Sequence, residues 1–117
     1  MLQSYTFRKA TRIKQQQSLV MERPFISDEI TKFVEIRTFL SSTPDEDLKW
    51  HWDEEDREIE AVENTDWMFQ FDNQIPVEIN KKIFISRGII HRVIKGSGEL
   101  KLKITKWPIQ SLMSLDL

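Results

Sequence analysis

The sequence has no cysteine and only three glycines among its 117 residues. The missing cysteines exclude disulfide bonds and thiolate metal ligands, and they are compatible with a reducing compartment. No apolar run approaches the roughly 20 residues that a membrane-spanning helix requires. Residues 1–14 also lack the apolar segment of a secretory signal. These absences predict a cytoplasmic protein that does not enter the membrane.

Three stretches of the sequence each carry charges of almost only one sign, although the net charge of the whole chain is only −2. Residues 1–17 carry four bases and no acid, residues 45–63 carry ten acids and two bases, and residues 80–106 carry eight bases and one acid. Blocks of this kind can mark a nucleic-acid surface. The last block, however, follows a strand-like alternation, which is more typical of a solvated sheet face. We therefore do not expect nucleic-acid binding.

Short apolar alternations separated by turn residues predict an all-β fold. In "ELKLKITKW", Leu100, Leu102 and Ile104 alternate with polar residues, and "TDWMFQFDN" has the same period of two. The "GSG" at residues 96–98 predicts a hairpin-like connection. Residues 31–40 favour a strand, although a helix capped by Ser27 is the alternative. We predict an N-terminal arm or edge strand over 1–20 and one β-barrel domain over 21–117.

The two histidines of the chain, His51 and His91, are the main candidates for chemistry. In "HWD", His51 and Asp53 share one face of a strand because side chains alternate with period two. Two imidazoles and one carboxylate form a common ligand set for Fe, Mn, Ni or Zn. Spacing alone is equally compatible with structural or solvated histidines.

The stretch "IFISRGIIHRVIKG" resembles the second conserved motif of the cupin superfamily, in which a histidine follows three residues after a turn glycine. Here these residues are His91 and Gly88. "HWDEEDREIEAVEN" is similar to the first cupin motif, with His51 at the first histidine and Asp53 in place of the second. The resemblance implies a small double-stranded β-helix (jelly-roll) barrel, often dimeric, with a metal held by His51, Asp53 and His91.

The glutamate ligand of the first cupin motif falls on either Arg57 or Glu58, depending on the spacing. Arg57 shares the parity of the apolar Ile59 and Ala61, so the alternation predicts that it points into the barrel. Glu58 is then the less favoured fourth metal ligand. An inward Arg57 would repel a metal unless Asp53 or another acid pairs with it, and it could equally bind a small anionic molecule with its planar fork of donors. Glu54 and Glu55 are interpreted as part of an exposed acidic turn.

Three functional hypotheses follow. The first is a cupin-like protein that binds a divalent transition metal, a small anionic molecule or both inside the barrel. The second is a barrel that binds its ligand without a metal cofactor. The third is a structural or interaction barrel without catalytic activity. The sequence leaves open whether the protein is an enzyme, and it predicts a homodimer.

Overall fold

A computed structural model describes residues 23–108 of the chain. These residues form eight strands and one short 3-10 helix, Asp45–Asp47. In chain order the strands are β1 (Ile26–Thr31), β2 (Val34–Phe39), β3 (Asp56–Ala61), β4 (Met68–Phe71), β5 (Val77–Glu78), β6 (Ile83–Ile85), β7 (His91–Ile94) and β8 (Leu100–Trp107). The all-β prediction is confirmed. Across 23–108, no helix is long and apolar enough to cross a membrane.

The strands form two antiparallel sheets. The larger sheet has five strands in the order β1-β2-β8-β3-β6, and the smaller has three in the order β5-β4-β7. β8 is the central strand of the larger sheet and pairs with both β2 and β3. The non-sequential order means that successive strands repeatedly change sheet. This arrangement places residues from distant parts of the sequence on one inner surface.

The core contains buried residues from both sheets. Leu100, Leu102 and Ile104 of β8 are 1–3% exposed, as the alternation of that strand predicts. Trp67 and Phe69 are almost fully buried, and the Trp67 indole donates a hydrogen bond to the Gly98 carbonyl at 3.2 Å. Burying a large apolar side chain stabilises a fold by roughly 1.5–3 kcal/mol. This core therefore fixes the strands that carry the polar residues described below.

Two local predictions were wrong. The "GSG" segment joins β7 to β8, which lie in different sheets, so it is a crossover rather than a hairpin. The strand expected around "HWD" does not form, and His51 makes only an isolated bridge with His91. The strand favoured over residues 31–40 is confirmed by β2, and the helix alternative is excluded because Ser27 lies in β1, an exposed strand that pairs with β2.

Some predictions are not tested by the described residues. The N-terminal arm or edge strand at 1–20 and the tail after residue 108 lie outside them. The domain limits and the homodimer stay predictions.

Candidate metal centre

A backbone bridge holds the two histidines side by side. The His51 N–H donates to the His91 carbonyl at 3.0 Å, and the His91 N–H donates to the His51 carbonyl at 2.9 Å. Residues paired in this way in an antiparallel ladder project their side chains to the same side. The two imidazole rings accordingly lie edge to face, with centroids 4.4 Å apart. The bridge thus unites residues that are forty positions apart in the sequence.

Asp53 is held beside the histidines by a glycine turn. The Gly88 N–H donates to the Asp53 carbonyl at 2.8 Å, and the Ile89 N–H closes the turn onto the Ser86 carbonyl at 3.2 Å. Gly88 has a φ of 79°, a left-handed conformation that glycine adopts without steric cost. The glycine of the "SRG" motif therefore contributes directly to the position of the site.

Hydrogen bonds to the backbone fix the tautomer of each histidine. His51 Nδ1 lies 3.0 Å from the Lys49 carbonyl, and His91 Nδ1 lies 2.8 Å from the Ile89 carbonyl. A carbonyl oxygen only accepts hydrogen bonds, so each Nδ1 carries the proton. Each Nε2 is left with its lone pair, the form in which an imidazole binds a metal.

The lone pairs of the histidines meet the carboxylate of Asp53. One ligand atom from each of His51, Asp53 and His91 lies within 4.8 Å of the others. His91 Nε2 is 3.4 Å from Asp53 Oδ2. Among the described residues, this Oδ2 is the one buried side-chain polar atom without a hydrogen-bond partner. A buried carboxylate oxygen without a protein donor is costly to maintain, so this atom is available to bind a ligand or a cation.

Burial keeps both histidines uncharged at neutral pH. It lowers the pKa of His51, and the Arg37 and Arg57 charges act in the same direction. Burial also lowers the pKa of His91, and together with the neighbouring His51 it brings the value to about 4. A neutral His91 has no Nε2 proton to give to Asp53. The lone pairs of the two Nε2 atoms therefore face the carboxylate oxygens of Asp53 with no proton between them. We call these three residues the triad.

Arg57 lines the same cavity as the triad, and Glu58 does not join the triad. Arg57 donates to Glu55 through Nη2 at 2.7 Å and Nε at 2.8 Å, and its Nη1 lies 3.4 Å from Asp53 Oδ1. Glu58 instead pairs with Lys82 at 3.5 Å. Glu54 is exposed, as expected, whereas Glu55 is partly buried because it binds Arg57.

A second polar group, formed by Glu35, Arg37 and Lys106, was missed by the sequence analysis; we call it the Glu35 cluster. Glu35 accepts hydrogen bonds from Ser27 Oγ at 2.9 Å and Arg37 Nε at 2.6 Å. Its other oxygen lies 2.7 Å from Lys106 Nζ. Burial alone would raise the pKa of Glu35, but the donors from Arg37, Lys106 and Ser27 lower it to about 2.

The parity of Phe39 is the signal that would have revealed this cluster. The sequence analysis favoured a strand over residues 31–40 without assigning its inward face. Phe39, which is buried, has the same parity as Glu35 and Arg37, and Glu35 is only 6% exposed. The charged face of β2 is thus turned inward.

One cavity joins the two polar groups. Its volume is about 230 Å³, a size suited to a small molecule. The triad, Arg57, Arg37 and Lys106 contribute its polar surface. Its apolar surface includes Phe39, Leu48, Ile59, Phe69, Ile85, Val93, Leu102 and Ile104. Phe69 stacks on the His91 ring at 5.5 Å between centroids and so supports the triad from within the core.

The structure of this chain is similar to known structures, but its sequence matches no family model and no curated protein. The plu4264 protein from Photorhabdus luminescens is similar over 93% of this chain and 99% of its own, with a TM-score of 0.60 and 14% identity. HppE with cobalt(II) in complex with Tris buffer is similar over 80% of this chain, with a TM-score of 0.56 and 13% identity.

A cupin-2 domain protein from Shewanella frigidimarina is similar over 78% of this chain and 86% of its own, with 18% identity and a TM-score of 0.49. The chain spans 41% and 60% of the lengths of the iron(II) and cobalt(II) HppE chains, respectively. At these identities the likeness concerns the fold. The cupin-like jelly-roll barrel predicted from the sequence is confirmed.

Proposed function

We propose that this chain, which has a cupin-like fold, binds one divalent transition metal through the triad and presents it to a small anionic ligand in the cavity. The observation that carries the proposal is the buried Asp53 Oδ2, which has no hydrogen-bond partner among residues 23–108 and faces the Nε2 of a neutral His91. A metal ion would satisfy both atoms at once. Water would not replace it well, because the carboxylate would retain a buried charge.

The residues of the triad fit such an ion. Two imidazoles and one carboxylate are the ligand set of many Fe²⁺, Mn²⁺, Ni²⁺ and Zn²⁺ sites, and they leave coordination positions for a ligand. The three ligand atoms lie within 4.8 Å of one another. Bonds of about 2.1 Å to one ion allow a separation of at most about 4.2 Å, so any wider pair would have to close on the ion. When bound, the metal would supply Lewis acidity and a point of attachment for an anionic group.

The surroundings of the triad support this assignment. Each histidine is oriented by a hydrogen bond from Nδ1 to the backbone, an arrangement that metal-binding histidines commonly have. Arg57 forms an ion pair with Asp53 and adds positive charge to the cavity. We propose that Arg57 also attracts the anionic ligand. The cobalt(II) form of HppE, a barrel of similar fold, supports the idea that such a barrel can hold a divalent metal.

A pair of matched amide variants tests the metal site. Asp53→Asn removes the carboxylate of the triad, and Glu58→Gln makes the same chemical change outside it. Purified protein is titrated with Zn²⁺, Mn²⁺, Ni²⁺ and, without oxygen, Fe²⁺, and the metal content is measured by elemental analysis. We expect one ion per chain in the wild type and in Glu58→Gln. Asp53→Asn, His51→Ala and His91→Ala should each weaken binding by roughly 100-fold or more.

Two outcomes would contradict the proposal. In the first, the wild type takes up none of the four metals, and the metal-free barrel becomes the better hypothesis. In the second, Asp53→Asn and Glu58→Gln bind metal equally well, which places the ion elsewhere.

A further inference from the structure

The Glu35 cluster contains more positive than negative charge. One carboxylate, that of Glu35, serves two cations, Arg37 and Lys106. Its pKa of about 2 keeps it ionised, so the cluster holds a formal charge of +1 at neutral pH. Ser27, the remaining donor to Glu35, is neutral. The cluster alone therefore leaves one positive charge without a partner beside the cavity.

This excess charge lies in a partly desolvated place. The side chains of Glu35 and Arg37 are only 8% and 11% exposed, whereas that of Lys106 is 28% exposed. Arg37 also packs over the Phe25 ring, with its guanidinium carbon 4.1 Å from the ring centroid. Removing a charge from water is expensive unless another charge or several hydrogen bonds compensate it. The fold has thus buried a cation whose compensation is incomplete.

Neighbouring charges add to this imbalance. Burial lowers the pKa of Arg37 and the positive charge of the nearby Arg57 lowers it further, while Glu35 and Asp53 act in the opposite direction. The residues that line the cavity include five cationic and two acidic side chains, and Glu35 and Glu55 pair with cations of this lining. Arg37 uses Nε to bind Glu35, and no other ion pair of Arg37 is found across residues 23–108. Its two terminal nitrogens remain as donors for a bound molecule.

We propose that Arg37 and Lys106 form an anion-binding subsite in the cavity, which holds an oxyanion group of the ligand, a carboxylate or a phosphate. The planar guanidinium of Arg37 provides directed donors, and Lys106 provides a mobile point charge. The inference rests on the proposed function in one respect: the ligand bound at the subsite shares its cavity with the metal. The subsite itself requires no metal, since both residues belong to the protein.

The test measures anion binding by metal-free protein. Chelator-treated full chain is titrated by calorimetry with succinate and, separately, with inorganic phosphate. The two probes distinguish a carboxylate ligand from a phosphate ligand. Three variants are compared: Arg37→Gln removes the proposed anchor, Glu35→Gln removes the competing negative charge, and Arg87→Gln removes an exposed arginine that does not line the cavity.

The expected changes in affinity for the anion have opposite signs in Arg37→Gln and Glu35→Gln. Arg37→Gln should weaken binding of the preferred probe by about tenfold or more, the usual value of a hydrogen bond to a charged group. Glu35→Gln should strengthen it several-fold, because the anion no longer competes with a carboxylate. Arg87→Gln should bind as the wild type does. If Arg37→Gln does not fold, Lys106→Gln takes its place and should weaken binding in the same direction.

Two results would overturn the subsite. The first is saturable binding of neither probe by the wild type, which would leave the Glu35 cluster as a structural ion-pair network. The second is equal weakening by Arg37→Gln and Arg87→Gln, which would reflect the total charge of the protein. A Zn²⁺ titration of Arg37→Gln separates this inference from the metal site, since that variant keeps all three triad residues and should still bind one ion per chain whether or not the subsite exists.

Discussion

The triad and the Glu35 cluster share one cavity but satisfy their polar atoms in opposite ways. In the triad, neutral imidazoles and a carboxylate present electron pairs, and Asp53 Oδ2 has no hydrogen-bond partner within residues 23–108. In the Glu35 cluster, the carboxylate accepts hydrogen bonds or ion pairs from three donors on three strands. The triad thus has a buried carboxylate oxygen without a donor, whereas the cluster carries more positive than negative charge.

This difference distinguishes a buried polar group that stabilises the fold from one that is available to bind a ligand. A buried network whose atoms all have partners stabilises one packing arrangement. A buried group whose atoms lack partners costs stability and persists where a ligand completes it. The carboxylate of Glu35 belongs to the first kind, and that of Asp53 belongs to the second. The predictions below change one region at a time and ask whether the other responds.

The largest expected effect on the free energy of unfolding comes from removing the charge of Glu35. The pKa of Glu35 lies at about 2 in the folded chain, against 4.5 ordinarily. The carboxylate thus contributes about 3 kcal/mol to the free energy of unfolding above pH 4.5. Because the folded pKa is lowered, this contribution disappears as the pH falls from 4.5 towards 2. Urea denaturation should show Glu35→Gln about 3 kcal/mol less stable at pH 7, with a gap that closes on acidification. A gap independent of pH would contradict the assignment.

The second effect concerns stabilisation by metal. At a free metal concentration one hundred times Kd, binding raises the free energy of unfolding by about 2.7 kcal/mol. Asp53→Asn should lose most of this gain, whereas Glu58→Gln should keep it. Without metal, Asp53→Asn should be no less stable than the wild type, because it removes an unpaired carboxylate oxygen. Thermal unfolding with and without Zn²⁺ measures both quantities. A full metal gain in Asp53→Asn would show that Asp53 is not a ligand.

Two glycines allow the turn to be tested with a matched control. Gly88 and Gly98 have φ of 79° and 69°, and a Cβ at either would meet no atom within 4 Å. Alanine at each position should therefore cost a similar amount, about 1 kcal/mol of backbone strain. Only Gly88→Ala should also weaken Zn²⁺ binding, because the Gly88 N–H holds the Asp53 carbonyl. Equal metal affinities in the two variants would mean that the turn does not position the triad.

The smallest effect is expected at Arg92, which lies outside both polar groups. Its guanidinium carbon is 4.3 Å from the centroid of the exposed Trp50 ring. Such an exposed cation–π contact is worth about 0.5 kcal/mol. Arg92→Gln should lower stability by about that amount in urea denaturation, with no change in metal or anion binding. A change in either would extend the functional region to this face.

The sequence predicted the elements whose pattern is local. The alternation of β8 identified its buried residues, and the parity of β3 predicted the inward direction of Arg57. His51 and Asp53 could be placed on one face because they are two positions apart. The turn glycine before His91 was visible through the resemblance to the second cupin motif. Their assignment as metal ligands stays a proposal.

Features that depend on distant pairing were not predictable. His51 occupies a single bridge rather than a strand, since its partner is His91 and its own neighbours form no ladder. The partners of Glu35 could not be predicted, because Ser27 and Lys106 lie on two other strands. The parity of Phe39 indicates which face of β2 is buried, but only the folded arrangement shows what compensates the charges on that face.

The His51–His91 bridge also bears on a feature noted at the outset, the lack of cysteine. A metal bound to both imidazoles would cross-link the chain and close a loop of about 40 residues, as a disulfide does. In the chain-entropy treatment of disulfides, a cross-link that closes a loop of about that length stabilises the fold by roughly 4 kcal/mol, because it lowers the conformational entropy of the unfolded chain. The bound metal would then act as a reversible cross-link, so that a chelator would both remove the metal and lower the stability of the barrel.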